Sequence, residues 1–450
     1  MNRRTGRATT GAAALAAVAA VTGLLALAAC GSTPAPGAAA TGELRLSVTA
    51  PPTAPPAADL SAAATATDAF GLDLLHALTG PNSGGAGEAN TVLSPSGLAT
   101  ALAMLLPGAR GGTAQELATV LHTGLPPARY VAAMGAAGRA VQPGGPNQKA
   151  GQAPVLKQSD TVWTQRGYPV QQAYLQTLAQ AFQAGLRTAD FVKDPDTARQ
   201  AVNALVEQQT DGRIKNLLPP GSVDPSTVLV LTDALYLKAA WAHPFEHADT
   251  ADRPFHRLDG STASVSTMAE TGTLRYAQGG TADQPWQAVE LPYAGGGLVM
   301  DLVVPGQGSF DRFRAGLDGP GLDRMLAGLS DTEVDLTLPR FDFGTANNLT
   351  EALTALGLHS AFVPTADFSG IPGPGAAQPY LSTVVQQADI TVDESGTTAA
   401  AGTAVGIAGA AAPQRGGAAT LHIDRPFLFL IRDVGSGQPL FLGQVTDPAR

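Results

Sequence analysis

The run Ser226–Trp241, STVLVLTDALYLKAAW, most narrows what this chain can fold into. It is rich in β-branched and apolar residues and alternates as a strand does. At sixteen residues it is too long for an ordinary strand, so it reads as a central strand of a large sheet. Shorter strand patterns follow it: AVELPY, LVMDLVVP, EVDLTLPRF, ADITVDE, PFLFLIRD and PLFLGQVT. KQSDTVWTQ, residues 157–165, is a strand pattern before it. Helical spacing dominates the earlier chain. Phe70, Leu72, Leu74, Leu75 and Leu78 fall at helical spacing, and SPSGLATALAMLLPGAR opens with Ser94 and Pro95 as a helix start does. In GGTAQELATVLHT, Thr113 and Glu116 stand at capping-box spacing. Helices also fit 170–182, 197–210, 310–317, 321–329 and 349–358. Helices early and strands late mean an α+β fold rather than a doubly wound one.

The first 29 residues stand apart. Arg3, Arg4 and Arg7 precede an apolar run from Gly11 to Ala29, which reads as an export signal. Cys30 is the single cysteine, so the chain forms no internal disulfide. It follows Leu27-Ala28-Ala29, and LAAC resembles the lipobox of bacterial lipoproteins. That resemblance implies cleavage before Cys30, lipid on its sulfur, and a place on the outer face of the cell membrane, or outside the cell. Residues 30–66, rich in Pro and Ala, read as a flexible tether in which LRLSV would be an isolated strand. The folded domain is then 67–450.

The sequence argues against several functions. A net charge of −10 without a basic run after the N-terminus speaks against nucleic acid as a partner. G-x-S-x-G, H-E-x-x-H, Walker and G-x-G-x-x-G motifs are all missing from the sequence, so an enzyme has little support. His243 and His247 have the spacing of a metal pair, but Pro244 between them assigns them to a solvated loop. No cofactor or metal is expected.

Residues 392–417, VDESGTTAAAGTAVGIAGAAAPQRGG, are unlike the rest. From Thr397 to Ala408 the run has no charge and no bulky aromatic. Thr397, Ala399, Ala401, Thr403, Val405 and Ile407 would share one face of a strand, and smaller residues the other.

Several stretches, in order, resemble one family, the serpins. They are Asn90–Leu117, Asp211–Trp241, PFHRLDGSTASVSTM, ELPYAGG, LPRFDF, LGLHSAFVPTADFSGI, LHIDRPFLFLIRD and PLFLGQVTDP. The resemblance spans Thr67 to Arg450 and implies a monomer with three sheets, eight or nine helices and an exposed reactive-centre loop at about 394–417. It implies an inhibitor of serine proteases, not an enzyme. The loop is cut as a substrate, and its hinge inserts into the main sheet while the protease is still attached. A non-inhibitory binding or structural serpin is the alternative. The hinge would comprise Glu394, Gly396, Thr397, Ala399, Ala401 and Thr403. Sixteen residues on from Glu394 the scissile bond is Ala410–Ala411, bait for an elastase-like or subtilisin-like protease. Counting back twelve from Phe427 gives Arg415–Gly416, bait for a trypsin-like one. The family's gate behind the opening strands usually holds Ser, Ser, Asn and His. The matching positions here are Ser94, Gly97, Asp233 and Gln386, and Trp241 matches the Trp at the sheet's breach. A basic helix for a heparin-like cofactor is not evident.

Overall fold

The long apolar run folds as a twelve-residue strand, Leu229–Ala240, inside the larger part of a mixed sheet. The structure, a computed structural model, describes residues 41–47, 52–80, 86–140, 154–397 and 418–449. In chain order its strands are β1 (Thr41–Leu44), β2 (Thr91–Leu93), β3 (Val155–Gln158), β4 (Thr161–Gln165), β5 (Leu186–Ala189) and β6 (Leu229–Ala240). Then come β7 (Ala251–His256), β8 (Thr262–Thr281), β9 (Gln284–Pro292), β10 (Leu298–Pro305), β11 (Ser330–Pro339) and β12 (Phe341–Asn348). The last are β13 (Leu381–Asp393), β14 (Gly396–Thr397), β15 (Ala419–His422), β16 (Phe427–Asp433) and β17 (Pro439–Val445). The helices are α1 (Ala57–Thr79), α2 (Pro95–Leu105), α3 (Gly111–Val120), α4 (Pro127–Ala140) and α5 (Gln172–Phe182). They continue with α6 (Pro195–Gln209), α7 (Phe310–Gly316), α8 (Gly319–Ala327) and α9 (Thr350–Ala355).

The first sheet runs β1-β5-β4-β6-β14-β13-β12, with β3 also on β6. The second runs β15-β11-β8-β9-β10-β16-β17-β2, with β7 on β8. The resemblance implied three sheets. Hydrogen bonding resolves two among the described residues, because the twenty-residue β8 pairs with β7 at one end and β9 at the other.

The two sheets meet through apolar inner faces. Leu235, Leu237 and Ala239 of β6 and Ile390 and Val392 of β13 pack with Met300, Leu302, Phe427, Phe429 and Phe441. Below them the buried α2 joins the core of Leu229, Leu231, Val384, Leu428 and Leu442. On the outer face, α6 places Val202 and Val206 against Trp163, Val230, Ala234 and Val385. The inner stripe of β6 is therefore Leu229, Leu231, Asp233, Leu235, Leu237 and Ala239: one carboxylate interrupts it.

Four expectations are corrected. The stretch 30–66 is not all tether. α1 begins at Ala57, ten residues before the expected boundary, and Asp59 in its first turn pairs with Arg129 Nε of α4 at 2.8 Å. The expected isolated strand begins earlier, at Thr41, and is not isolated. It pairs with β5, and Glu43 lies 3.7 Å from Arg187. Thr113 and Glu116 make no capping box, since the cap residue is Arg110. Instead Glu116 accepts the amides of His359 and Ser360 at 2.9 and 2.7 Å, tying α3 to a distant turn. Finally, 157–165 is not one strand: it breaks at Ser159–Asp160, between β3 and β4.

Candidate functional site

Residues 394–397, which include the expected hinge residues Glu394, Gly396 and Thr397, turn back at the end of β13 and place a two-residue strand, β14, between β13 and β6. Gly396 and Thr397 pair with Asp393 and Val392 on one side, and with Ala240 and Ala239 on the other. Further along, β13 and β6 pair directly and in parallel, from Leu381 opposite Leu229 to Asp389 opposite Tyr236. The sheet is thus split at one end only.

Each hinge residue has a physical reason for its identity. Gly396 has φ +146°, and a Cβ there would lie 2.1 Å from the Ala239 carbonyl oxygen, so a side chain is excluded twice over. Thr397 is 1% exposed, with its hydroxyl 2.5 Å from that of Tyr293. Tyr293 stacks on Trp241 at 4.5 Å between ring centroids, and Phe245 meets Trp241 edge-on. Trp241 Nε1 donates to the Asp393 carbonyl at 2.9 Å, and the Trp241 amide donates to the Ser395 carbonyl at 3.0 Å. Glu394 is buried and accepts from Thr250 Oγ1 at 2.8 Å, with His247 and Arg340 at 3.6 and 3.7 Å. Burial alone would raise its pKa. The hydrogen bonds from its own amide and from Thr250, with the nearby Arg340 guanidinium and His247 imidazole, outweigh burial and hold the carboxyl below its ordinary value.

The candidate gate lies lower in the same sheet. Ser94, Asp233 and Gln386 are fully buried and meet where α2 begins. Ser94 caps α2, accepting from the Gly97 amide at 3.2 Å. The Ser94 amide donates to Gln386 Oε1 at 3.1 Å, and Gln386 Nε2 donates to the Ser94 carbonyl at 2.9 Å and to Asp233 Oδ2 at 2.5 Å. Gly97 is tied to Asp233: a Cβ on it would lie 2.5 Å from Asp233 Oδ1 and 2.6 Å from Oδ2. The carboxylate fills the space a side chain at 97 would need.

Comparison with known proteins bears on all of this. The family model described as Serpin (serine protease inhibitor) matches residues 65–448. The chain is a serpin. It is 34% identical to an uncharacterised serpin-like protein of Thermococcus kodakarensis, over 85% of each chain. It is 32% identical to the leukocyte elastase inhibitor of Bos taurus, over 84% of this chain and 97% of that one. Among solved structures, the thermophilic serpin tengpin in its native state superposes with a TM-score of 0.77. That match covers 91% of this chain and 100% of tengpin, at 24% identity, and so bears on the fold.

Several expected site residues lie outside the described part of this serpin: Cys30, Ala399, Ala401, Thr403, Ala410, Ala411, Arg415 and Gly416. The structure brings Glu394, Gly396, Thr397 and Trp241 together at one end of the split, and Ser94, Gly97, Asp233 and Gln386 together lower down. Sequence reading missed Tyr293, Thr250, Arg340 and Asp160. The first three come from distant strands or loops, and no spacing rule links them to 394. His247, read as a loop residue, is exposed but reaches Glu394 rather than His243. No cluster of metal-binding residues occurs among the described residues.

Proposed function

We propose that this serpin inhibits serine proteases as a suicide substrate, by inserting its cut loop between β6 and β13. The observation that carries the reading is β14: a hydrogen-bonded start of the incoming strand, already seated between the two strands that must part. The target's serine hydroxyl would attack the Ala410 carbonyl. The Ala410–Ala411 bond breaks, the Ala411 amine leaves with a proton passed on by the protease, and Ala410 remains as an ester. The freed segment then extends β14 down the split. Sixteen residues from Glu394 to Ala410, fully extended, carry the ester about 53–58 Å. Deacylation needs an intact oxyanion hole, which that displacement disrupts. About a dozen new ladder bonds at roughly 0.5–1.5 kcal/mol each give a driving force on the order of ten kcal/mol.

Small alanines at the bait favour an elastase-like or subtilisin-like target, and the resemblance to an elastase inhibitor points the same way. Lipid on Cys30 would hold the inhibitor at the outer face of a bacterial membrane. Incubating the soluble domain with an elastase-like and a trypsin-like protease tests the reading. A complex that survives denaturing electrophoresis, with a released fragment beginning at Ala411, is expected. A fragment beginning at Gly416 would move the bait to Arg415. Complete cleavage without any complex would leave a binding or structural serpin.

A further inference from the structure

The gate has a neighbour, Asp160, that the sequence did not reveal. β3 pairs Gln158 with Leu235, and β4 pairs Thr161 with Thr232. The two residues between them, Ser159 and Asp160, therefore stand across from Ala234 and Asp233, and the Ser159 amide donates to the Ala234 carbonyl at 2.9 Å. On the other side Asp233 is in register with Gln386, and Gln386 with Asn347 of β12. A polar row, Asp160, Asp233, Gln386, Asn347, thus crosses an otherwise apolar face. An incoming strand would cut this row between Asp233 and Gln386.

Two carboxyl groups side by side, Asp233 buried and Asp160 half-buried, repel each other when both are charged, which favours keeping one protonated. Oδ1 of Asp160 and Oδ1 of Asp233 are each buried without a donor. Among the described residues neither carboxyl is paired with a cation. α2 and β4 carry no charged residue. Lys157 of β3 is 3.4 Å from Asp211, and Glu207 of α6 is 4.0 Å from Lys215, both at the surface. The charged residues of β13 and β12 sit farther along, with Asp389 opposite Tyr236 and Asp342 opposite Thr391. The groups that act on the pair are the two carboxyls themselves and the Gln158 and Gln386 amides. Burial raises both, and the charge of Asp233 raises Asp160 further, well above the usual carboxylate range.

We propose that Asp160 and Asp233 share one proton, and that this proton latches β6 to β13, so that its loss lets the sheet open more readily. Opening admits water, Asp160 gives its proton to that water, and both carboxylates become hydrated. The closed state binds the proton more tightly than the open one. Closure is therefore favoured fully in acid, weakens as pH rises from the ordinary carboxylate value toward the raised one, and then levels off. The consequence for inhibition rests on the insertion reading above. The latch itself can be read with no protease present.

The test is amide hydrogen exchange on the uncleaved protein from about pH 5 to about pH 9, corrected for intrinsic exchange chemistry. In wild type the opening of β6 and β13 should increase with pH, by up to about tenfold per unit. Asp160→Asn removes the ionisable partner while its amide can still donate to Asp233, so its opening should be slower and should rise less with pH than in wild type. Asp233→Asn should likewise rise less, and the difference from wild type should be confined to β6 and β13. A wild-type profile already flat, or variants that keep the wild-type slope, would overturn the latch. Failure to trap a protease with an intact latch would instead count against the insertion reading.

Discussion

The Thr397 hydroxyl meets the Tyr293 hydroxyl at 2.5 Å, so the second residue of the hinge strand faces the core in the uncut protein. Tyr293 in turn stacks on Trp241, and Trp241 holds the backbone of Asp393 and Ser395. In the insertion proposed above, one aromatic stack would therefore fix both where the incoming strand starts and which of its faces points inward. Every later residue of that strand inherits the alternation.

Gly396→Ala should expel β14. The new Cβ would press on the Ala239 carbonyl in a backbone conformation that side chains avoid. Exchange at the Trp241 and Phe245 amides, which donate to the Ser395 and Glu394 carbonyls, should speed up while the lower part of β6 stays protected. Unchanged exchange at both would mean that β14 does not depend on this glycine.

Gly97 and Asp233 should be coupled. Gly97→Ser drives a side chain into the Asp233 carboxylate and should lower stability by about 1–3 kcal/mol, read as a lower urea midpoint. Asp233→Ala vacates the space but removes the carboxylate that Gln386 Nε2 donates to, leaving Gln386 its bonds to Ser94. Combined, the two changes should destabilise less than the sum of the single ones. Additivity would show that the two positions do not share space.

How far the sequence was legible follows from the range of each rule. Local rules worked where one segment carries the signal: the β6 run, the α2 start at Ser94-Pro95, and the ending of α6 at Asp211-Gly212, both with positive φ. They missed most of β13, since LSTVVQQ has no clean alternation, and all of β8, whose sequence is small and polar. They put one strand across Ser159–Asp160, where β3 and β4 do keep a single register on β6 and only the strand itself is interrupted. The expectation that Glu394, Gly396 and Thr397 belong to a hinge came from the family resemblance, not from a local pattern. The Asp160–Asp233 neighbour relation depends on register between strands more than sixty residues apart, which no local pattern encodes.

Cys30→Ala should leave the protein out of the membrane fraction, or its precursor uncut. Fractionation of expressing cells, with N-terminal sequencing, reads both. Equal membrane retention with normal processing would remove lipid as the anchor.

The most direct test of loop insertion is how many protease molecules each inhibitor molecule disables when position 397 carries a charge. Thr397→Arg would force a guanidinium into the space now shared with Tyr293, and burying it unpaired costs several kcal/mol. The bait is untouched, so the protease should still cut the loop, but slower insertion gives deacylation time to finish. Thr397→Arg should therefore be cleaved at the same bond, with little covalent complex and active protease recovered. Thr398→Arg, one residue on, should trap nearly as well as wild type, because strand side chains alternate. Equal trapping by the two variants would contradict insertion of this segment between β6 and β13.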